Sequence, residues 1–381
     1  MPPIYLDYNA TTPLLPAAWE AMAPFMSEAF GNPSSAHAGG RKARQALEDA
    51  RERIAGLLGA FPDELTFTSG ATEANNLAVF GLLGRREGGT PPRAVASLLE
   101  HPCVIEPLRQ LESRGVPVDW WPVDSRGVIS PQPLHPATQL VCVMLANHET
   151  GALQPVRALA QSLPPGVALH CDAAQAVGKV PVHFHDLGAT TLTASAHKFG
   201  GPKGVGLLIS RRGTQLQPLL FGGHQQQGRR PGTEPVALAV GLAVALEHAV
   251  RNQAAHHAKL VALRQRLWNR LQEVAAPVVL NGPAIGAADV VPTTLNVAFP
   301  GCRADLLLLA LDLAGVACST GSACSSGSLL PSPVLRAMGV PDTVLHSAVR
   351  FSFGPTTEFA DIDEAANRIG HAVQQIRTPV G

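Results

Sequence analysis

Lys198 closes an apolar, threonine-rich run, "TLTASAHKF", with a histidine just before it and a Gly-Gly-Pro turn just after. Lysine is among the residues least often buried without a partner. Its bland reading is a side chain that snorkels to the surface. Its chemical reading is an imine-forming amine, because burial lowers a lysine's pKa and makes the neutral nucleophile accessible. Asp172 ends a second apolar run in "LHCDAAQ". It can be a helix N-cap, or a carboxylate that pairs with the cationic ring nitrogen of a bound cofactor. In "TSGATEANN", Gly70, Ala71 and Thr72 lie between a strand pattern and a helix pattern. Small residues there admit close backbone approach, and helix N-terminal N–H groups can hold a phosphate. The segment is neither a P-loop nor a dinucleotide fingerprint, since no Gly-Lys-Ser/Thr follows and no G-x-G-x-x-G opens it. Amine, carboxylate and phosphate turn together make the equipment of a phosphorylated, imine-forming cofactor.

Such groups need elements that bring them together. Residues 36–58 place Ala43, Leu47, Ala50, Ile54 and Leu57 on one helical stripe. "ELTFTSGATEANNLAVFGLLG" reads as strand, tight turn and helix. "QLVCVMLANHETG", "VALHCDAAQAVG", "TLTASAHKF" and "GVGLLIS" read as buried strands, most with polar ends. Short apolar strands alternating with helical patterns predict an α/β fold, a mostly parallel central sheet flanked by helices. Ligands collect beyond the carboxyl ends of such strands, where every polar cluster just named sits. Residues 236–275 read as one long helix. A smaller α+β region follows, with "TTLNVAF" and "AVRFSFG" as strands and "RADLLLLALDLAG" and "DIDEAANRIGHAVQQIR" as helices. The expected division is a large domain over 13–250, and a small α+β domain made of 1–12 with 251–381.

A chain of 381 residues is long for a single core, which agrees with two domains. Acidic and basic residues number 29 each, giving zero formal charge, so nucleic-acid binding has no electrostatic support. "MPPIYLDYNATTPLLP" lacks the basic start and apolar core of a signal peptide, and no uninterrupted apolar run is long enough to span a bilayer. A soluble, cytoplasmic protein without membrane contact is expected. Six cysteines form no C-x-x-C pair, so neither a disulfide framework nor a resident metal site is expected. Cys103, Cys142, Cys171, Cys302 and Cys318 read as small buried packing residues. Cys324 differs, lying in "GSACSSGSLLPSP", too rich in Ser and Gly for helix or strand.

The order of the pieces says more than any one of them. "YLDYNATTPL", "FGNPSSAH", "FTSGATEANNLA", "EHPCVIEP", "DAAQAVGK", "SAHKFGGPKGVG", "GRRPGTE", "GSACSSGS" and "VRFSFGPTTE" occur in one series almost from end to end. This series resembles the fold-type I pyridoxal-phosphate enzymes of the class V aminotransferase superfamily, and most closely its cysteine desulfurases of the NifS/IscS type. The resemblance implies pyridoxal 5'-phosphate as cofactor and Lys198 as its Schiff-base lysine. Ala71, Thr72, Ser195 and His197 would hold the phosphate. Thr233, in "RRPGTE", would reach it from a partner subunit, which implies a homodimer. Asp172 would pair with the pyridine nitrogen, Gln175 with the ring hydroxyl, and His101 would stack on the ring and move protons. Arg350, with Asn32, would bind the substrate carboxylate, a bidentate task suited to guanidinium.

Two positions depart from the family pattern. Asn147-His148 stands where two asparagines are usual, the second of them touching the ring oxygen; an imidazole N–H can donate there instead. Ala196 replaces a glycine. The resemblance also puts Cys324 on the mobile catalytic loop, where a thiol can approach the cofactor and swing away. The run Ser322 to Pro333 matches the longer loop of the NifS/IscS group. The implied reaction converts L-cysteine to L-alanine with a persulfide on Cys324, handed directly to sulfur-acceptor proteins such as an iron–sulfur scaffold or a sulfur carrier. Selenocysteine lyase on the same scaffold is the nearest alternative. A non-catalytic sulfur carrier is another, although it would have no reason to keep Lys198, Asp172, His101, Arg350 and Cys324 together.

Overall fold

The strands run, in chain order, β1 (Ile4–Tyr5), β2 (Leu65–Thr68), β3 (Arg93–Ser97), β4 (Val118–Trp121), β5 (Thr138–Cys142), β6 (Ala168–Asp172), β7 (Thr191–Ser195), β8 (Gly206–Ser210), β9 (Val279–Asn281), β10 (Thr294–Ala298), β11 (Val316–Ala317) and β12 (Ala348–Ser352). The computed structural model describes residues 2–83, 92–321 and 331–377. Seven strands form the main sheet in the order β2-β8-β7-β6-β5-β3-β4. Only β8 runs against its neighbours; β2 and β7 both pair antiparallel to it, and the remaining pairs are parallel. Six strands therefore end at one edge of the sheet, and β8 begins there, with Gly206 paired to both Thr68 and Ser195.

The reason for this architecture is the burial of both sheet faces. Strands β7 and β8 are buried along their whole length, as sheets covered on both sides require, and β8 reads as a near-continuous apolar run. The helix Ala38–Leu57 turns Ala43, Leu47, Ala50 and Ile54 into the core, which is the stripe its sequence period predicts. Leu57, the last member of that stripe, is only partly buried. Each fully buried Leu or Ile contributes about 1.5–3 kcal/mol relative to exposure.

A second apolar cluster gathers around the antiparallel sheet β12-β10-β9, with Leu263, Leu267, Leu271, Phe351 and Ile369 among its members. β1 reaches this cluster from the start of the chain, pairing in parallel with β11. The long helix expected over 236–275 is in fact two, Val236–Arg251 and Gln253–Val274. Asn252 stands at the joint with φ −98° and ψ 4°, and its side-chain Nδ2 donates to the carbonyl of His248 at 2.8 Å. An asparagine that offers its side chain to a helix carbonyl competes with the backbone ladder. The first helix packs on Pro16–Met26 and Ala38–Leu57, the second on Phe359–Arg377. Among the described residues no helix is long and apolar enough to cross a membrane, and no three His, Cys, Asp or Glu side chains cluster as metal ligands would.

Candidate active site

A cavity of about 430 Å³ opens where the six strands end. One corner of it is the start of the helix Ala71–Leu82, with Gly70, Ala71 and Thr72 in the wall. The first N–H groups of any helix have no intrahelical acceptor, and the helix dipole adds partial positive charge there. Strand β8 packs so tightly behind this turn that a Cβ on Gly206 would lie 2.7 Å from the backbone of Gly70. Ser195, at the end of β7, and His197 face the same corner. Burial, followed by Lys198, Lys203 and Lys179, lowers His197 to about 4, so it meets the corner as a neutral ring.

Lys198 lies in the short 3₁₀ turn Ala196–Lys198 that follows β7 and lines the cavity. Its Nζ donates to the carbonyls of Asn9 and Ala10 at 2.6 and 2.9 Å. Asp172 ends β6 with 6% of its surface exposed. Its Oδ1 accepts from the N–H of Ala174 at 2.9 Å and its Oδ2 from Asn75 Nδ2 at 2.7 Å. The local backbone cap and the cavity-facing carboxylate are thus the same group. Gln175 also lines the cavity; its Nε2 donates to the carbonyl of Asn9 at 3.0 Å while its Oε1 accepts from Lys179 Nζ. Burial, then Lys198 and Arg350, pushes the Lys179 ammonium well below the usual lysine range.

His101 caps the helix Pro102–Glu112, its Nδ1 accepting from the N–H of Cys103 at 3.2 Å. Glu100 fixes this corner, because its Oε1 accepts from Ser97 Oγ at 2.7 Å and from the N–H of Met144 at 2.8 Å, tying the ends of β3 and β5 together. Burial pushes the Glu100 carboxyl up to about 8. His148 reaches the cavity from the far side and packs edge-on against His101, with centroids 5.3 Å apart. Burial, then His101, Arg350 and Lys198, holds His148 well below its ordinary range. Its Nδ1 is buried and has no hydrogen-bond partner among the described residues.

Four expected site residues do not line this cavity. The Asn147 carboxamide is taken up by its own turn, accepting at Oδ1 from the N–H groups of Glu149 and Thr150, each at 2.9 Å. Asn32 is exposed, and its Oδ1 accepts from the N–H of Ser34 at 2.9 Å. Thr233 is exposed, away from the cavity of its own chain. Arg350, on β12, is 2% exposed and stands behind His148; it donates to the His148 carbonyl at 3.0 Å and to Asp7 Oδ1 at 2.8 Å. Its Nε is buried without a hydrogen-bond partner among the described residues. Cys324 lies outside the described residues. On one side of that stretch Ser332 Oγ donates to Glu149 Oε2 at 2.6 Å, and on the other Gly321 packs against the same carboxyl.

In and around the cavity stand residues to which the sequence assigned no role in the site. Cys103, read as packing, lines the wall, with its Sγ 2.9 Å from His101 Nδ1. Asn75 and Lys179 are buried supports of Asp172 and Gln175. The available signal was spacing: Asn75 lies one turn after Ala71 on the same helix, and Lys179 four residues after Gln175 in the turn that follows β6.

A family model described as Aminotransferase class-V matches residues 4–365. The chain is 41% identical over 380 residues to "Cysteine desulfurase IscS" of Dictyoglomus turgidum, covering 98% of this chain and 95% of that one. It is 42% identical over 385 residues to the "IscS-like cysteine desulfurase" of Mycobacterium tuberculosis, covering 98% and 97%. Among solved structures, a "NIFS-LIKE PROTEIN" superposes with a TM-score of 0.91 at 33% identity, over 98% of this chain and 100% of that one. A structure titled "SspA in complex with cysteine" superposes at 0.78, also at 33% identity, over 93% and 100%. A sheet whose strand ends carry a lysine, an aspartate and a helix start, and a sequence alike over its whole length, lead to one conclusion: the chain belongs to the class V aminotransferase family, in its cysteine desulfurase group.

Proposed function

We propose that this protein is a pyridoxal-phosphate-dependent cysteine desulfurase. It takes L-cysteine to L-alanine and leaves the sulfur as a persulfide on Cys324, from which acceptor proteins for iron–sulfur cluster or thio-cofactor synthesis remove it. The convergence of the Lys198 amine, the Asp172 carboxylate and the start of the Ala71–Leu82 helix on one cavity carries this reading. The relatives named cysteine desulfurase favour sulfur chemistry over plain transamination. The relative solved with cysteine supports L-cysteine as substrate.

The residues present fit the cofactor. The helix start with Ala71 and Thr72, Ser195 and His197 offer donors to a phosphate, and Asp172 offers an acceptor to a protonated ring nitrogen. The His148 imidazole, which lines the cavity, and the second hydrogen of Gln175 Nε2 are the polar groups offered to ring oxygens. When bound, pyridoxal phosphate supplies an electron sink that weakens the bonds at the substrate's α-carbon. Lys198 Nζ takes the α-proton and returns it during the conversion. His101 carries protons to and from the substrate sulfur, within the range of general acid–base work. On the family resemblance, Arg350 and Asn32 are assigned to the substrate carboxylate, although neither lines the cavity of the described chain. Thr233 completes the phosphate corner of a partner subunit in a homodimer, and Asn147 holds the turn that presents His148.

The test is direct. Purified protein with pyridoxal phosphate, L-cysteine and a reductant should yield alanine and sulfide in equal amounts, and without reductant the Cys324 peptide should gain the mass of one sulfur atom. Cys324→Ser should still change colour with cysteine yet release no sulfide, while Lys198→Ala should lose the borohydride-reducible yellow absorbance. A transamination product without sulfide, or unchanged sulfide release from Cys324→Ser, rejects the proposal.

A further inference from the structure

We infer that Cys103 and Asn75 are positioning residues that fix the His101 imidazole in its Nε2–H tautomer, so that it meets the cavity as a proton donor. The inference rests on the reading of His101 as the proton carrier, and it follows from a buried chain of hydrogen bonds in which every donor can be assigned.

The chain starts at Asp172. An ionised carboxylate only accepts, so the Asn75 atom 2.7 Å from Asp172 Oδ2 is the amide nitrogen. The Asn75 carbonyl oxygen therefore faces His170 Nε2 at 2.9 Å, and that ring nitrogen carries the proton. Burial lowers His170 to about 4, which keeps it neutral, and its Nδ1 then accepts from the hydroxyl of Thr191 at 2.9 Å. An amide nitrogen has two hydrogens; the second points to Cys103 Sγ at 3.0 Å. Burial first, and then the charge of Asp172, push the Cys103 thiol up, so the sulfur keeps its own proton. The thiol has two acceptors in reach, His101 Nδ1 at 2.9 Å and Asp172 Oδ2 at 4.0 Å, and the first is far nearer. The N–H of Cys103 also points at His101 Nδ1. With two donors aimed at it, Nδ1 is an acceptor, and the single proton of the neutral ring belongs on Nε2.

The surroundings act in the same direction. Burial lowers the His101 pKa; Asp172 opposes this, while Lys198 on β7's following turn and Arg350 on β12 reinforce it. His148 packs against the ring as a neutral edge, and Glu100 precedes it in the chain. Asn75 thus grips both Asp172 and, through the thiol, His101, and couples the two groups proposed to meet the cofactor ring at its nitrogen and at its face.

The test uses ring-nitrogen-labelled histidine in the purified, pyridoxal-phosphate-loaded protein, with the His101 signals assigned by their loss in His101→Gln. The expected wild-type result is a protonated Nε2 and a bare Nδ1. In Cys103→Ala one donor to Nδ1 is gone, so the ring should titrate higher, by on the order of one pH unit. The acid limb of kcat should follow it, with little change in KM. Cys103→Ser keeps an O–H donor and should restore the wild-type titration. Asn75→Ala should shift the ring like Cys103→Ala. A proton on Nδ1 in the wild type, or a titration that Cys103→Ala leaves in place, overturns the inference. Failure of the cofactor reading would show separately, as no absorbance on adding pyridoxal phosphate, while the tautomer is still read from the histidine signals.

Discussion

Glu100 shows how a residue outside the chemistry can set the conditions for it. Its carboxyl is fully buried, ties β3 to β5 just before His101, and is raised from its usual 4.5 to about 8 by burial, opposed by the Ser97 and Met144 hydrogen bonds. Below 4.5 both folded and unfolded chains hold this proton and the group costs nothing. Between 4.5 and 8 the unfolded chain loses the proton while the folded chain keeps it, so stability falls with rising pH and levels off above 8. Glu100→Gln cannot ionise and keeps an acceptor for both donors. Urea denaturation across this range should find the variant gaining on the wild type as pH rises, by a few kcal/mol (~2–4) at the alkaline end. Parallel curves would show that Glu100 ionises as freely in the folded protein as in the unfolded one. Glu100 also marks where sequence reading stops at this scale. Lys198 and Asp172 stand out in a sequence because each interrupts an apolar run. Glu100, Asn75 and Cys103 do not, because what makes them matter is a partner from another element: Met144 for Glu100, and Asp172 for Asn75.

At the scale of elements, strands and helix starts were legible because their apolar periods are forced by burial on two faces of a sheet or one face of a helix. The break at Asn252 was not, since it depends on a side chain choosing a carbonyl, and no Gly or Pro lies between Leu242 and Val274 to announce it. The direction of β8 was equally hidden, for an apolar run looks the same read either way. Its antiparallel placement nevertheless shapes the corner proposed to hold the phosphate, because it brings Gly206 against the Gly70 turn. A methyl on residue 206 would meet the backbone of Gly70 at 2.7 Å and the carbonyl of Ala194 at 2.8 Å, both rigid parts of the sheet edge. Gly206→Ala should therefore move the Ala71 helix start by a few tenths of an ångström. We expect retention of pyridoxal phosphate to weaken by roughly tenfold or more, since misplaced donors lose charge-assisted hydrogen bonds worth about 1.5–3 kcal/mol each. Cofactor titration of the refolded apoprotein measures this, and an unchanged dissociation constant would remove the helix start from the phosphate site.

At the scale of the molecule, we propose that the chain divides near residue 250, with residues 13–250 around the seven-stranded sheet and 251–381 joined by the first dozen residues. Length suggested two units; what the sequence could not display is how the returning N-terminal segment joins them. Ile4 and Leu6 belong to the apolar cluster around β10 and β12, and the N–H of Asn9 donates to Ser352 Oγ at 2.9 Å. Three residues later, the N–H of Thr12 donates to the carbonyl of His197 at the edge of the main sheet. Asn9 sits at the crossing. Its Nδ2 donates to the His148 carbonyl at 3.1 Å and to Thr294 Oγ1 at 2.8 Å, while its Oδ1 accepts from the buried Lys179 Nζ at 3.1 Å. Asn9→Ala removes three side-chain bonds at once and leaves a buried lysine with one acceptor fewer, which should cost about 2–4 kcal/mol in urea denaturation at neutral pH. The residue 9 carbonyl survives the substitution, and that carbonyl is what holds Gln175 Nε2 and Lys198 Nζ. Stability should therefore fall much further than cofactor affinity. If affinity collapsed while the denaturation midpoint stayed in place, Asn9 would be serving the cavity rather than joining the two halves of the chain.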